Sequence, residues 1–246
     1  MENFNNILNS LNELNKIQEI FVPSQNRSIK FNGLTAKQQK EALQCIMDKD
    51  FSGLSFSILA SEILTNNITE KVPLLLSDKN YLLICLRAFS LSLTYKNSSN
   101  ETYDLTSILN NKIPLPADLR STLITEGDIS VTTEIPNLEY DAFISKESKK
   151  KLETASPSQT ITKESIGELY IDEILKYVKL VKTSKAEIKS EELTYNQKYR
   201  VIEALPISIT SRIIEFINKV KEFERSITAI NGTTQIVSVD PALFTL

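Results

Sequence analysis

Apolar residues recur at three- and four-residue steps along Ile7, Leu8, Leu11, Leu14, Ile17 and Phe21. That spacing lays one apolar stripe along a helix, and Pro23 ends it. Arg27 to Phe31 predicts a short strand, Gly33 a turn, and Thr35 the cap of a helix carrying Ala42, Leu43, Ile46 and Met47. A second such helix spans Ser55 to Asn66, and Pro73 closes the connection after it. The most apolar stretch follows: Ser77 or Asp78 caps a helix from Tyr81 to Phe89 whose Leu82, Leu83, Ile84, Cys85 and Leu86 leave it little polar face, the mark of a central core helix.

Beyond Ser90 the period changes. Leu91, Leu93 and Tyr95 alternate, residues 97–100 supply a turn, and Glu101 to Leu105 resume an extended pattern, predicting a hairpin. From Asn110 to Asn137, Pro114, Pro116, Gly127 and Pro136 predict a loop leading into a strand at Ile129, Val131, Thr133 and Ile135. Tyr140 to Glu153 returns to helical spacing and is basic. Thr154 to Thr162, rich in Ser and Thr, reads as an exposed linker. Ser165 opens a long helix through Leu169, Tyr170, Ile174, Leu175, Val178 and Val181. A polar stretch, Lys182 to Glu192, separates it from helices at Tyr195 to Ala204 and Ile209 to Ile227, hinged at Leu205 and Pro206. Gln235 to Val239 alternates as a terminal strand after a turn at Asn231 and Gly232. The expectation is an α+β fold, mainly helical, with short hairpins and a C-terminal strand, divided into residues 1–153, a linker at 154–164 and a helical region at 165–246.

Composition narrows the function classes. With 246 residues and 41% hydrophobic content the chain can bury a sizeable core, and a net charge of −3 with scattered signs shows no footprint for nucleic acid or anionic membrane. The start MENFNNILNS lacks a signal-peptide pattern and no apolar run reaches the ~18 residues of a membrane span, so the chain is expected in the cytoplasm of the cell that makes it. Cys45 and Cys85 are expected as buried free thiols. The absence of histidine removes the commonest general base and metal ligand, and five glycines form no phosphate-cradling loop.

The remaining polar residues read first as structure. Arg87 within its apolar helix is expected in an ion pair or snorkelling, with an interface contact as the alternative, and Tyr81 is expected in the core. Glu168, Asp172 and Glu173 are expected to spread over a solvated helix face, and Lys146, Lys149, Lys150 and Lys151 to mark an exposed helix end. No catalytic, cofactor or metal site is assigned. The stripes Ile174, Val178, Val181 and Ile213, Ile214, Phe216, Ile217, Val220 are expected mostly in the core, with a minority left for a partner.

The order of motifs over residues 29–120 resembles one family. Ile29 to Glu41 looks like its extended segment leading into a polar-faced helix. Leu75 to Arg87 is similar to its aspartate, apolar helix and arginine, and Tyr95 with Tyr103, Asp104 and Leu105 to its hairpin. The family is the baseplate hub subunit of T-even-like contractile-tailed bacteriophages, the product of phage gene 26, with its assembly-protein relatives. Some relatives carry paired cysteines in the hairpin after the core helix. Here Tyr95 to Asn100 contains no thiol, so a zinc role is not carried over. The resemblance implies a non-enzymatic structural subunit of the virion tail baseplate, without cofactors, bound to other hub or wedge proteins in a hetero-oligomeric assembly. An assembly factor that leaves before the virion is complete is the alternative, and an enzyme is the third class.

Overall fold

The segment at the end of the first expected helix is a strand. β1 (Ile17–Val22) pairs antiparallel with β2 (Arg27–Asn32), from Ile17 opposite Asn32 to Val22 opposite Arg27. This is a computed structural model describing residues 17–47, 52–96, 101–155, 163–230, 235–237 and 239–244, so Ile7 to Leu14 lie outside the described residues. IQEIFV fits a helical or an alternating pattern, and the nearby β2 decides between them. Pairing satisfies both backbones and puts Ile20, Val22, Ile29 and Phe31 on one buried face. Asn26, at φ 49°, closes the connection by donating its N–H to the Pro23 carbonyl.

α1 (Ala36–Gln44) begins as expected at Thr35, whose hydroxyl accepts from the Gln38 N–H while the Gln38 side chain accepts from the Thr35 N–H. α2 (Ser52–Asn67) precedes α3 (Lys79–Ser90), the expected central helix. Tyr81, Leu82, Leu83, Ile84, Cys85 and Leu86 are all buried, because β1 and α2 pack against it along with elements from the far end of the chain. β3 (Thr94–Lys96) and β4 (Thr102–Asp104) form the expected hairpin with Tyr95 opposite Tyr103.

A four-stranded antiparallel sheet departs most from the sequence reading. Its order is β5 (Ser121–Glu126), β6 (Ile129–Glu134), β7 (Val178–Lys182) and β8 (Glu187–Lys189). β5 occupies part of the stretch expected as loop. Its adjacent Leu123 and Ile124 blur the alternation, but Gly127, at φ +58°, sits first in a two-residue turn to β6, a position suited to glycine. Val178 and Val181 do not continue the preceding helix. They lie on β7, whose backbone completes the free edge of β6, and β8 forms within the polar stretch expected only as a separator.

The helices α4 (Leu138–Ala155), α5 (Lys163–Tyr177), α6 (Tyr195–Glu203) and α7 (Ile207–Ile227) complete the α+β fold. α4 packs along α2, and α7 contacts α3, α5 and β5. The expected terminal strand reduces, among the described residues, to an isolated bridge between Ala229 and Ile236, and the turn at Asn231 and Gly232 lies outside them. A short 3-10 turn, Pro241–Phe244, follows instead. It places Phe244 edge-on to Phe56 at 5.9 Å, and Gln39 donates to the Phe244 carbonyl at 2.9 Å. One apolar cluster runs from Ile20 to Phe244, and the sheet joins strands from both sides of residues 156–162, which lie outside the described residues. Among the described residues, no helix is long and apolar enough to cross a membrane.

Candidate functional site

Where α3, α4, α5 and α7 converge, the fold buries charge instead of hydrocarbon. Asp141 on α4 is 1% exposed and lies between two ammonium groups, Lys79 Nζ of α3 at 2.9 Å and Lys176 Nζ of α5 at 2.8 Å. Lys79 Nζ also donates to the carbonyl and hydroxyl of Ser57, each at 2.8 Å. Lys176 continues to Glu173 at 3.6 Å, and Glu173 receives Lys221 Nζ of α7 at 2.7 Å. The charges therefore alternate in a line that stitches four helices. Burial acts to raise the Asp141 carboxyl, but the adjacent lysines outweigh it and hold the group below the usual carboxylate range.

This line borders a cavity of about 350 Å³. Phe56, Ala60 and Leu83 supply an apolar wall, while Asn80, Glu224 and Asp240 add polar groups. Glu224 differs from the other acids here. Among the described residues, its one hydrogen bond comes from the Asn80 amide at 3.5 Å, and burial pushes its carboxyl up to about 7, opposed by Lys221 and aided by Glu173. Among the described residues, no group of three or more acids and cysteines is arranged to hold a metal ion.

The residues singled out from sequence fall largely elsewhere. Arg87 is buried without snorkelling, and no described carboxylate forms an ion pair with it. Its guanidinium donates to the Leu243 carbonyl at 3.0 Å, to Thr94 at 2.7 Å and to Ser92, and lies 5.5 Å from the Tyr95 ring centroid, tying α3 to the hairpin and the C-terminal turn. Asp78 does not cap α3 with its side chain. It accepts from the Ser24 N–H at 2.9 Å, the Ser24 hydroxyl at 2.5 Å and the Leu75 N–H at 2.9 Å, and burial raises its carboxyl despite these bonds. Tyr81 is in the core. Neither cysteine forms a disulfide. Cys85 is buried, which pushes its thiol up to about 12, and Cys45 is half-buried.

The three acids of α5 do not share a solvated face. Asp172 is buried and accepts from the Tyr195 hydroxyl at 2.7 Å and from Ser148, Glu168 pairs with Lys151, and only Glu173 reaches the cavity. The basic run on α4 is mostly engaged: Lys146 with Glu62 at 2.7 Å, Lys149 with the Ser55 hydroxyl at 2.6 Å, and Lys151 as above, leaving Lys150 exposed. Ile174, Val178, Ile213, Phe216, Ile217 and Val220 are buried, and Val181 and Ile214 half-buried.

Sequence reasoning passed over Lys79, Asp141, Lys176 and Glu224. A signal existed for two of them. Glu224 continues the α7 stripe Ile213, Ile217, Val220 toward Ile227, and Asp141 lies on the α4 stripe that begins at Leu138 and ends at Leu152. A carboxylate on an apolar stripe is buried when the helix docks.

Comparison with known proteins gives one result. Nothing among curated proteins and nothing among solved structures matches the chain. A family model described as T4 bacteriophage base plate protein matches residues 14–240, which span the hairpin, the central helix, the sheet and the charged seam. The chain therefore belongs to the T4 bacteriophage base plate protein family.

Proposed function

We propose that the chain is a structural subunit of the hub region of the phage tail baseplate, acting through shape-specific contacts with neighbouring hub or wedge proteins. The family match over residues 14–240 carries this reading. The surface supports it, with Ile207 84% and Met47 78% exposed, and Ile166 and Tyr170 both exposed one turn apart on α5. Apolar side chains of this kind, set among polar ones, are what interfaces cover. The subunit performs no catalysis, works without a cofactor, and moves from the host cytoplasm during assembly to the virion baseplate.

The test is quantitative mass spectrometry of purified virions and of tail-assembly intermediates from infected cells. The expected result is a fixed integral copy number in both, together with hub proteins. Presence in the intermediates and absence from the virion would replace this reading with that of an assembly factor.

A further inference from the structure

We infer that the cavity between α3, α5 and α7 is a socket for a lysine or arginine side chain of a partner protein, with Glu224 as the pairing carboxylate. This deepens the reading of the chain as a baseplate subunit and rests on it for the source of the side chain.

Both Asp141 oxygens receive lysines, the Lys79 ammonium spends its three protons on Asp141 and Ser57, and Glu173 holds Lys176 and Lys221. Among the described residues, Glu224 has only the long Asn80 contact. Among the described residues, the three lysines of the lining, Lys79, Lys176 and Lys221, are all held by Asp141 and Glu173, so an ionised Glu224 has no ion pair of its own. Phe56, Ala60 and Leu83 provide the apolar surface along which a basic side chain lays its methylene stem. A cavity of about 350 Å³ has room for such a side chain. An anion would meet carboxylates, and an apolar side chain would leave Glu224 unpaired.

The groups facing Glu224 are Lys221 on its own helix, Glu173 and Lys176 on α5, Lys79 on α3, Asp141 on α4 and Asp240 of the C-terminal segment. With its carboxyl poised at about 7, Glu224 is mostly neutral at pH 6 and mostly ionised at pH 8. A cation that pairs with the ionised form therefore binds about tenfold more tightly at pH 8 than at pH 6.

The test uses the full chain and N-acetyl-arginine methylamide as probe, with binding followed by NMR shift titration at both pH values. The expected result is saturable binding, about tenfold tighter at pH 8, lost in Glu224→Gln and kept in Glu222→Gln, which changes an exposed acid of the same helix. Thermal melts of each variant confirm that it is folded. No saturable binding by the folded wild type overturns the socket, as does unchanged binding by Glu224→Gln. Tighter binding of inorganic phosphate would assign recognition to the lysines instead. Tighter binding of putrescine than of the capped arginine would make the occupant a free diamine and overturn the partner assignment. The two readings fail separately: absence from virions with probe binding intact removes only the structural-subunit reading, and virion incorporation without probe binding removes only the socket.

Discussion

Replacing Asp141 by Asn tests whether the charged seam holds the helices together. Asp141 Oδ1 and Oδ2 face Lys176 and Lys79 at 2.8 and 2.9 Å, and the three side chains are 1%, 13% and 8% exposed. The substitution keeps the shape but leaves two buried ammonium groups without their shared anion. Removing one partner of a buried ion pair costs about 3–5 kcal/mol, a large share of the roughly 5–15 kcal/mol by which a domain is stable. At about 2–4 °C per kcal/mol for a chain of this size, the melting temperature at pH 7 should fall by on the order of 10 °C.

The assay is thermal and urea unfolding by circular dichroism across pH. The folded Asp141 carboxyl is depressed, so its contribution is present above the unfolded value near 3.8 and is lost as pH falls through the folded value. The gap between wild type and variant should therefore close in strong acid. A second variant, Lys79→Met with Asp141→Leu and Lys176→Met, should recover much of the loss, because it removes the charges together and keeps the volume filled. If Asp141→Asn melts within about 2 °C of wild type at pH 7, the seam contributes no more than an exposed ion pair and the reasoning fails.

Glu224→Gln should change how stability depends on pH. The folded carboxyl sits at about 7 against 4.5 unfolded, so its contribution is complete below the unfolded value and is lost as pH rises through about 7. Melting curves from pH 4.5 to 8 should show wild type losing up to about 3 kcal/mol relative to the variant, and parallel curves would count against the burial of Glu224. Leu83→Asp should abolish soluble expression, since Leu83 is fully buried in α3 and an unpaired carboxylate there costs several kcal/mol; wild-type yield and melting would displace α3 from the centre of the fold. Gly127→Ala should destabilise by about 1 kcal/mol, measured by urea unfolding, because Gly127 holds φ +58° in the β5–β6 turn; a neutral effect would refute the turn geometry.

What the sequence determined by itself was whatever depends on neighbours a few residues apart. The Thr35 cap, the apolar α3, the hairpin around Tyr95 and the stripe of α7 were all legible, because local periodicity and local hydrogen bonds are written in consecutive residues. Tertiary structure decided the segments whose pattern permits two periods. Ile17 to Val22 and Val178 to Lys182 each accept helix or strand, and the hydrogen-bonding edges of β2 and β6 select strand. The seam was the least legible part. Asp141 meets Lys79 across 62 residues and Lys176 from another helix, and a single sequence carries no mark of that proximity. A charged residue on an apolar stripe signals that burial is coming. The partner that makes this burial tolerable is chosen by how the helices pack, because the pairing energy depends on distances of about 3 Å that only the assembled fold sets.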